Sequence, residues 1–191
     1  AENKAWDAKP TFSPDGNTLA YLAMKHPGFE ADRFQIMLMD VKTGKKRMLA
    51  DKWDRSASNL IWTQDGKSLT TSAFDLGQLR VFSINVASGA VTPLTDKGSV
   101  SSYAIGGSNL VIAQANLASG AQLFSTQFGQ KNWKQLTNLN TQALADVRFG
   151  EYEQFSYAGA KGEKIRVIGA SNTLLLAKRA DVCFCLNRSA D

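Results

Sequence analysis

Apolar residues come in short runs set off by turn residues, as in Thr18 to Met24, Phe34 to Val41, Ser68 to Phe74, Leu79 to Val86, Asn109 to Gln114 and Gln122 to Phe128. Each run has the β-branched and aromatic character of a strand, and none is long enough for a typical helix. No stretch before residue 172 sustains a 3.6-residue apolar period. The pattern predicts an all-β fold of short strands.

The runs repeat. Phe12-Ser13-Pro14-Asp15-Gly16-Asn17-Thr18-Leu19 returns 50 residues later as Trp62-Thr63-Gln64-Asp65-Gly66-Lys67-Ser68-Leu69. Asp40-Val41-Lys42-Thr43-Gly44, followed by Leu49, returns 45 residues later as Asn85-Val86-Ala87-Ser88-Gly89, followed by Leu94. A fainter third copy runs through Tyr103 to Leu110 and closes with Gln135-Leu136-Thr137, where the second closes with Pro93-Leu94-Thr95. Asp15-Gly16 and Asp65-Gly66 are expected as hairpin tips, since Asp-Gly supplies the positive φ that tight turns require, and Gly44 and Gly89 mark the second turn of each unit.

Four short antiparallel strands in a unit of roughly 42 to 50 residues is the pattern of a propeller blade. The expected architecture is a partial β-propeller over 1-150: about three four-stranded antiparallel blades near 4-50, 52-95 and 96-137, then a linker. An extra hairpin over 151-168 and a tail over 169-191 follow. A β-sandwich also spaces its strands regularly, but it does not need the same turn at a fixed shift. Trp6, Trp53, Trp62 and Trp133 recur once per strand group and are expected between blades.

Composition changes this picture little. Hydrophobic residues at 43% and charged residues at 20% exclude wholesale disorder and collagen-like or disulfide-stapled scaffolds. The net charge of +5 is scattered, and its only local group, Lys42, Lys45, Lys46 and Arg47, flanks the turn at Gly44. A solvated turn is expected there, and no nucleic-acid partner. The longest apolar clusters, Asn109 to Ala113 and Thr173 to Ala177, fall far short of the roughly 18 to 20 residues of a membrane span. The first residues lack the basic and apolar regions of a signal peptide, so a mature or excised end is expected, and the compartment is not legible. Cys183 and Cys185 stand two apart, where a disulfide is strained, so free thiols are expected. Two thiols and the lone His26 do not make up the four ligands of a structural zinc, and no metal or cofactor is expected.

The segments 12 to 21 (Phe-Ser-Pro-Asp-Gly-Asn-Thr-Leu-Ala-Tyr) and 40 to 44 resemble the blades of several propeller families, including the periplasmic TolB type. The junction Glu151 to Ile165 looks like the strand pair with which prolyl-oligopeptidase-family (S9) serine peptidases leave the propeller for the catalytic domain. Lys25 to Phe34 resembles an interstrand loop of the dipeptidyl peptidase and acylaminoacyl peptidase branch. The resemblance covers roughly residues 4 to 166 and implies the C-terminal half of a propeller without its catalytic domain. It also implies a bacterial source with a periplasmic or secreted parent. Past Arg166 the sequence departs from the family, and the tail to Asp191 reads like out-of-frame or vector-derived sequence.

Such peptidases carry a Ser, Asp and His triad on an α/β-hydrolase domain, which the propeller caps as a filter while supplying part of the substrate pocket. The nucleophile needs the strained G-x-S-x-G elbow. Gly169-Ala170-Ser171-Asn172-Thr173 and Gly106-Gly107-Ser108-Asn109-Leu110 each lack the closing glycine. No catalytic residue is therefore assigned. The resemblance marks His26, Glu30, Asp32 and Arg33 as relics of a substrate-facing loop, with solvated or salt-bridged loop charges as the plain alternative. The Asp15 and Asp65 carboxylates are accounted for by their turns.

Three functional expectations follow. The first is a non-catalytic propeller fragment with peptide-binding or self-association capacity, a homo-oligomer through its open blade faces and in consequence surface-active. The second is a hydrolase fragment active only when another chain completes it. The third is a TolB-like interaction module.

Overall fold

The computed structural model describes residues 3–147, 149, 151–171 and 185–187. Its first sheet pairs β1 (Asp7–Phe12), β2 (Thr18–Ala23), β3 (Gln35–Asp40) and β4 (Lys46–Leu49) in that order, all antiparallel. The second does the same with β5 (Ile61–Trp62), β6 (Ser68–Asp75), β7 (Gln78–Asn85) and β8 (Val91–Pro93). The third contains β9 (Ser99–Gly106), β10 (Asn109–Asn116), β11 (Ser119–Gln127) and β12 (Lys134–Gln135), again in consecutive order. The chain is thus all-β with three four-stranded blades. A short helix, α1 (Thr141–Leu144), interrupts the stretch expected as linker.

The turns explain the repeat, and they correct one expectation. Gly16 and Gly66 stand at φ 73° and 67°, but Asp15 and Asp65 do not adopt positive φ. The aspartates work through their carboxylates instead. Asp15 Oδ1 accepts from the Ser13 hydroxyl at 2.5 Å and from the Asn17 N–H at 3.1 Å. Asp65 Oδ1 accepts from the Thr63 hydroxyl at 2.7 Å and the Lys67 N–H at 3.0 Å. The repeating unit is hydroxyl-x-Asp-Gly, and it closes a five-residue connection rather than a two-residue hairpin. The second turn repeats too. Asp40 Oδ1 accepts the Thr43 N–H at 2.7 Å and Asn85 Oδ1 the Ser88 N–H at 2.8 Å, while Gly44 and Gly89 turn the chain at φ 69° and 71°. The two turns of each blade are tied together, Val41 N–H to Asn17 C=O and Val86 N–H to Lys67 C=O, both at 2.9 Å.

The hydrogen bonds from Ser13, and then from Asn17, hold the Asp15 carboxyl down at about 2. A carboxylate depressed in the folded state stabilises the fold above its unfolded pKa and loses that contribution as pH falls through its folded one. We therefore expect the Asp15 carboxyl resonance to titrate with a midpoint near 2, and Asp15→Asn to flatten stability between about pH 4 and 2. An ordinary midpoint near 4 would show that the turn is not formed as described.

Packing runs between sheets. Ala20, Leu22, Ile36, Leu38 and Leu49 of the first meet Leu60, Trp62, Leu69 and Ile84 of the second. Trp62 also donates its indole N–H to the Thr11 carbonyl at 3.3 Å. Val81 and Leu94 meet Val100, Leu110 and Ile112 of the third sheet, with Tyr103 and Trp133 against them. Burial pushes the Tyr103 hydroxyl up to about 12. Because β6 has a sheet on either side, Leu69, Thr70, Thr71, Ser72 and Ala73 are all buried in succession. Trp6 departs from expectation: it is 62% exposed and packs edge-on to Phe34.

The segment expected as a lone hairpin forms part of a three-stranded sheet. β13 (Glu151–Ala158) pairs with β14 (Lys164–Ser171), and β15 (Cys185–Asn187), from the stretch read as a tail, pairs with β14. The expectation of free thiols concerns Cys183, which lies outside the described residues, and Cys185, of which only the backbone is described. The out-of-frame reading of 169-191 falls largely outside them as well. Among the described residues no helix is long and apolar enough to cross a membrane.

Candidate peptide-facing end

In an up-and-down antiparallel sheet the second strand ends on the same side as the fourth. The β2–β3 loop, the β6–β7 hairpin and the connections between blades therefore gather at one end of the assembly. His26, Glu30, Asp32 and Arg33 all lie in the first of these loops.

Asp32 organises that loop. Its Oδ2 accepts the Lys25 and His26 N–H groups at 2.8 and 2.7 Å, and its Oδ1 accepts the Arg33 N–H at 2.9 Å. These bonds, that from His26 first, lower its pKa. His26 Nδ1 lies 3.2 Å from Asp32 Oδ2, with the ring largely in solvent. Arg33 turns away and donates to the Trp53 carbonyl. Glu30 is exposed and has no polar partner among the described residues. The structure thus brings the His26 ring and the Asp32 carboxylate together, while the Arg33 side chain engages Trp53 and Glu30 stays exposed.

Beside the loop stands a charge cluster that sequence reasoning missed. Asp75, at the tip of β6, takes Arg55 Nη2 on Oδ1 at 3.0 Å and Arg80 Nη1 on Oδ2 at 2.8 Å. Arg55 also pairs with Asp54 at 2.6 Å. Burial works against the Arg55 charge, but the hydrogen bond to Asp75 and the fields of both aspartates outweigh it and raise its pKa. Arg80 also donates to the Asp96 carbonyl, which stitches the second blade to the third, while its buried Nε has no partner. The one signal in the sequence was an Asp and an Arg straddling Leu76-Gly77. At the same end, each blade exposes a large apolar side chain near its central turn: Phe29 at 55%, Phe74 at 62% and Leu117 at 57%. Among the described residues His26 makes no hydrogen bond to a serine.

The architecture is that of a β-propeller segment. No family model matches the chain. It is 39% identical over 106 residues to dipeptidyl-peptidase 5 of Aspergillus fumigatus, covering 52% of this chain and 14% of that protein. It is 30% identical over 156 residues to a probable dipeptidyl-peptidase 5 of Aspergillus niger, covering 78% of this chain and 21% of that protein. Its fold matches 83% of this chain to 24% of the acylaminoacyl peptidase of Pyrococcus horikoshii, at a TM-score of 0.66 and 14% identity. It also matches TolB from Acinetobacter baumannii over 98% of this chain and 45% of that one, at a TM-score of 0.54 and 19% identity. By sequence the chain is related to dipeptidyl-peptidase 5, and its fold matches part of acylaminoacyl peptidase and of TolB. It spans between 14% and 21% of the two curated relatives named. Those relatives are fungal, against the bacterial source expected from sequence.

Proposed function

We propose that this chain is the peptide-selecting propeller segment of a dipeptidyl or acylaminoacyl peptidase and has no hydrolytic activity by itself. The observation that carries the reading is the Arg55, Asp75 and Arg80 cluster, at the end that also holds exposed Phe29, Phe74 and Leu117 and the His26 to Arg33 loop. The purified chain is expected neither to hydrolyse dipeptidyl or acylaminoacyl chromogenic substrates nor to take a fluorophosphonate label. Labelling of a single serine, abolished by His26→Ala, would overturn this reading in favour of a hydrolase segment completed by a second chain.

Self-association belongs to the same reading. The outer face of the first sheet carries Phe12, Leu19, Tyr21, Met37, Met39 and Met48, by the registers of β1 to β4. Phe12 and Met48 are exposed there. Apolar burial at roughly 25 cal/mol per Å² gives such a face several kcal/mol of drive towards a partner sheet. In light scattering after size exclusion a dimer or larger species is the expected result, and a sharp monomer near 20.8 kDa the opposing one. The TolB-like reading draws support from the 98% coverage of this chain. It shares the prediction of no labelling.

A further inference from the structure

We infer that the free edge of β4 is a docking site for an extended acidic segment of another protein, added as a further strand. This site lies on the outer rim of the first blade and does not include Arg55, Asp75 or Arg80. β4 is the last strand of its sheet and has one neighbour. Its register with β3 pairs Met39 with Lys46, Leu38 with Arg47, Met37 with Met48 and Ile36 with Leu49, without a bulge. Asp40 N–H donates to the Lys45 carbonyl at 2.9 Å. The alternation of an antiparallel ladder then turns the main-chain groups of Arg47 and Leu49 towards β3, and those of Lys46 and Met48 outwards.

A groove of about 540 Å³ runs here, lined by every residue from Arg47 to Trp53 and by Ala87 to Val91 across from them. Successive side chains of a strand point to opposite faces, so a groove that touches Arg47, Met48 and Leu49 reaches the outward main chain of Met48, and Lys46 stands just beyond its lining. The opposite wall is formed by the small residues Ala87, Ser88, Gly89 and Ala90 with Val91, and Arg47 reaches across beside it to the Val86 carbonyl. At its narrow end a Cβ on Gly89 would come within 3.3 Å of the Ala50 nitrogen.

Edge strands are commonly blunted by proline, bulges, extreme shortness or charged side chains, lysine above all, which repel a like-charged edge. β8 has Pro93 and β12 has only two residues, whereas β4 has neither device. What it has is charge. Lys42, Lys45, Lys46 and Lys52 surround the edge with Arg47, whose Nη2 donates to the Val86 carbonyl at 2.7 Å; of the carboxylates here, Asp40 accepts from Thr43 and Asp51 accepts the Lys52 N–H at 3.0 Å. That charge selects the occupant. A second copy of β4 would set like charges against each other across the ladder, which is destabilising. A nucleic acid would meet the lysines but leave the outward N–H and C=O groups of Lys46 and Met48 without partners. An extended strand bearing Asp or Glu satisfies both sets, which is the chemistry of strand addition.

The test is fluorescence anisotropy of the full chain with a labelled peptide of alternating glutamate and valine. Saturable binding that weakens with added salt is expected. The same peptide N-methylated at alternate residues, and the Met48→Pro variant, which removes an outward N–H, should each bind at least about tenfold more weakly, equivalent to ~1.4 kcal/mol. Lys45→Glu with Lys46→Glu should do the same. The N-methylated peptide leaves the protein untouched, so the test survives a Met48→Pro variant that fails to fold. Equal affinity for the N-methylated peptide, displacement by an oligothymidylate, or absence of saturable binding would each overturn the proposal.

Discussion

Replacing Leu69 with alanine is expected to lower the free energy of unfolding by about 3 kcal/mol, near the middle of the range for buried leucines. Leu69 has no exposed surface. It pairs with Trp62 on one side and Ile84 on the other, on the face of the second sheet turned to Leu22 and Leu38. Truncation leaves a void between two sheets, neither of which can move in without breaking its own ladder. Leu123 is 41% exposed on the third sheet, and the same substitution there should change stability by no more than about 0.5 kcal/mol. Urea melts of the two variants decide the matter. Equal, small effects would mean that the first two sheets do not pack as described.

The second large effect is expected at Asp75. Its side chain is 15% exposed, and the two arginine side chains it joins are 22% and 20% exposed. Asp75→Ala leaves Arg80 part-buried without a carboxylate, while Arg55 keeps Asp54. Fully buried pairs broken in this way lose roughly 3 to 5 kcal/mol, and partial exposure brings the expectation to about 2 kcal/mol. Asp75→Asn keeps an acceptor for one arginine and should cost about half as much. If Asp75→Ala with Arg80→Met is no less stable than Asp75→Ala alone, the cost arises from the stranded charge, as the geometry implies. A loss confined to low salt would instead mark a solvated surface pair.

How far each feature was legible followed from how local it is. The Asp15 and Asp65 turns, with Gly44 and Gly89, are built from residues within five positions of one another, so a shift of 50 or 45 exposed the blades directly. The same locality hid the role of Ser13 and Thr63, because a hydroxyl two residues before an aspartate reads as ordinary turn composition. The charge cluster joins Arg55 to Asp75 across 20 residues and comes from connections outside the repeat, where no periodic signal exists. Trp6 matched the spacing of the other tryptophans but has no sheet over it. β15 and the helix at Thr141–Leu144 come from segments without a repeat to compare. Likewise, His26 and Asp32 are six apart and readable as a loop, whereas the turn of Arg33 towards Trp53 required knowing that the next connection passes there.

The sheet order has a consequence for how the chain folds. Each four-stranded sheet is made of strands consecutive in sequence, so every ladder can close before the next sheet begins. Loop-closure costs stay small within a sheet, and ladder formation should be fast and follow synthesis from the N-terminus. Side-chain burial, by contrast, waits for the neighbour. The first sheet gains its core only when Leu60, Trp62, Leu69 and Ile84 arrive, and the second remains half-covered until Val100, Leu110 and Ile112 follow. Hydrogen bonding and core formation are thus separated in time by about one blade of synthesis, and aggregation is the hazard in that interval.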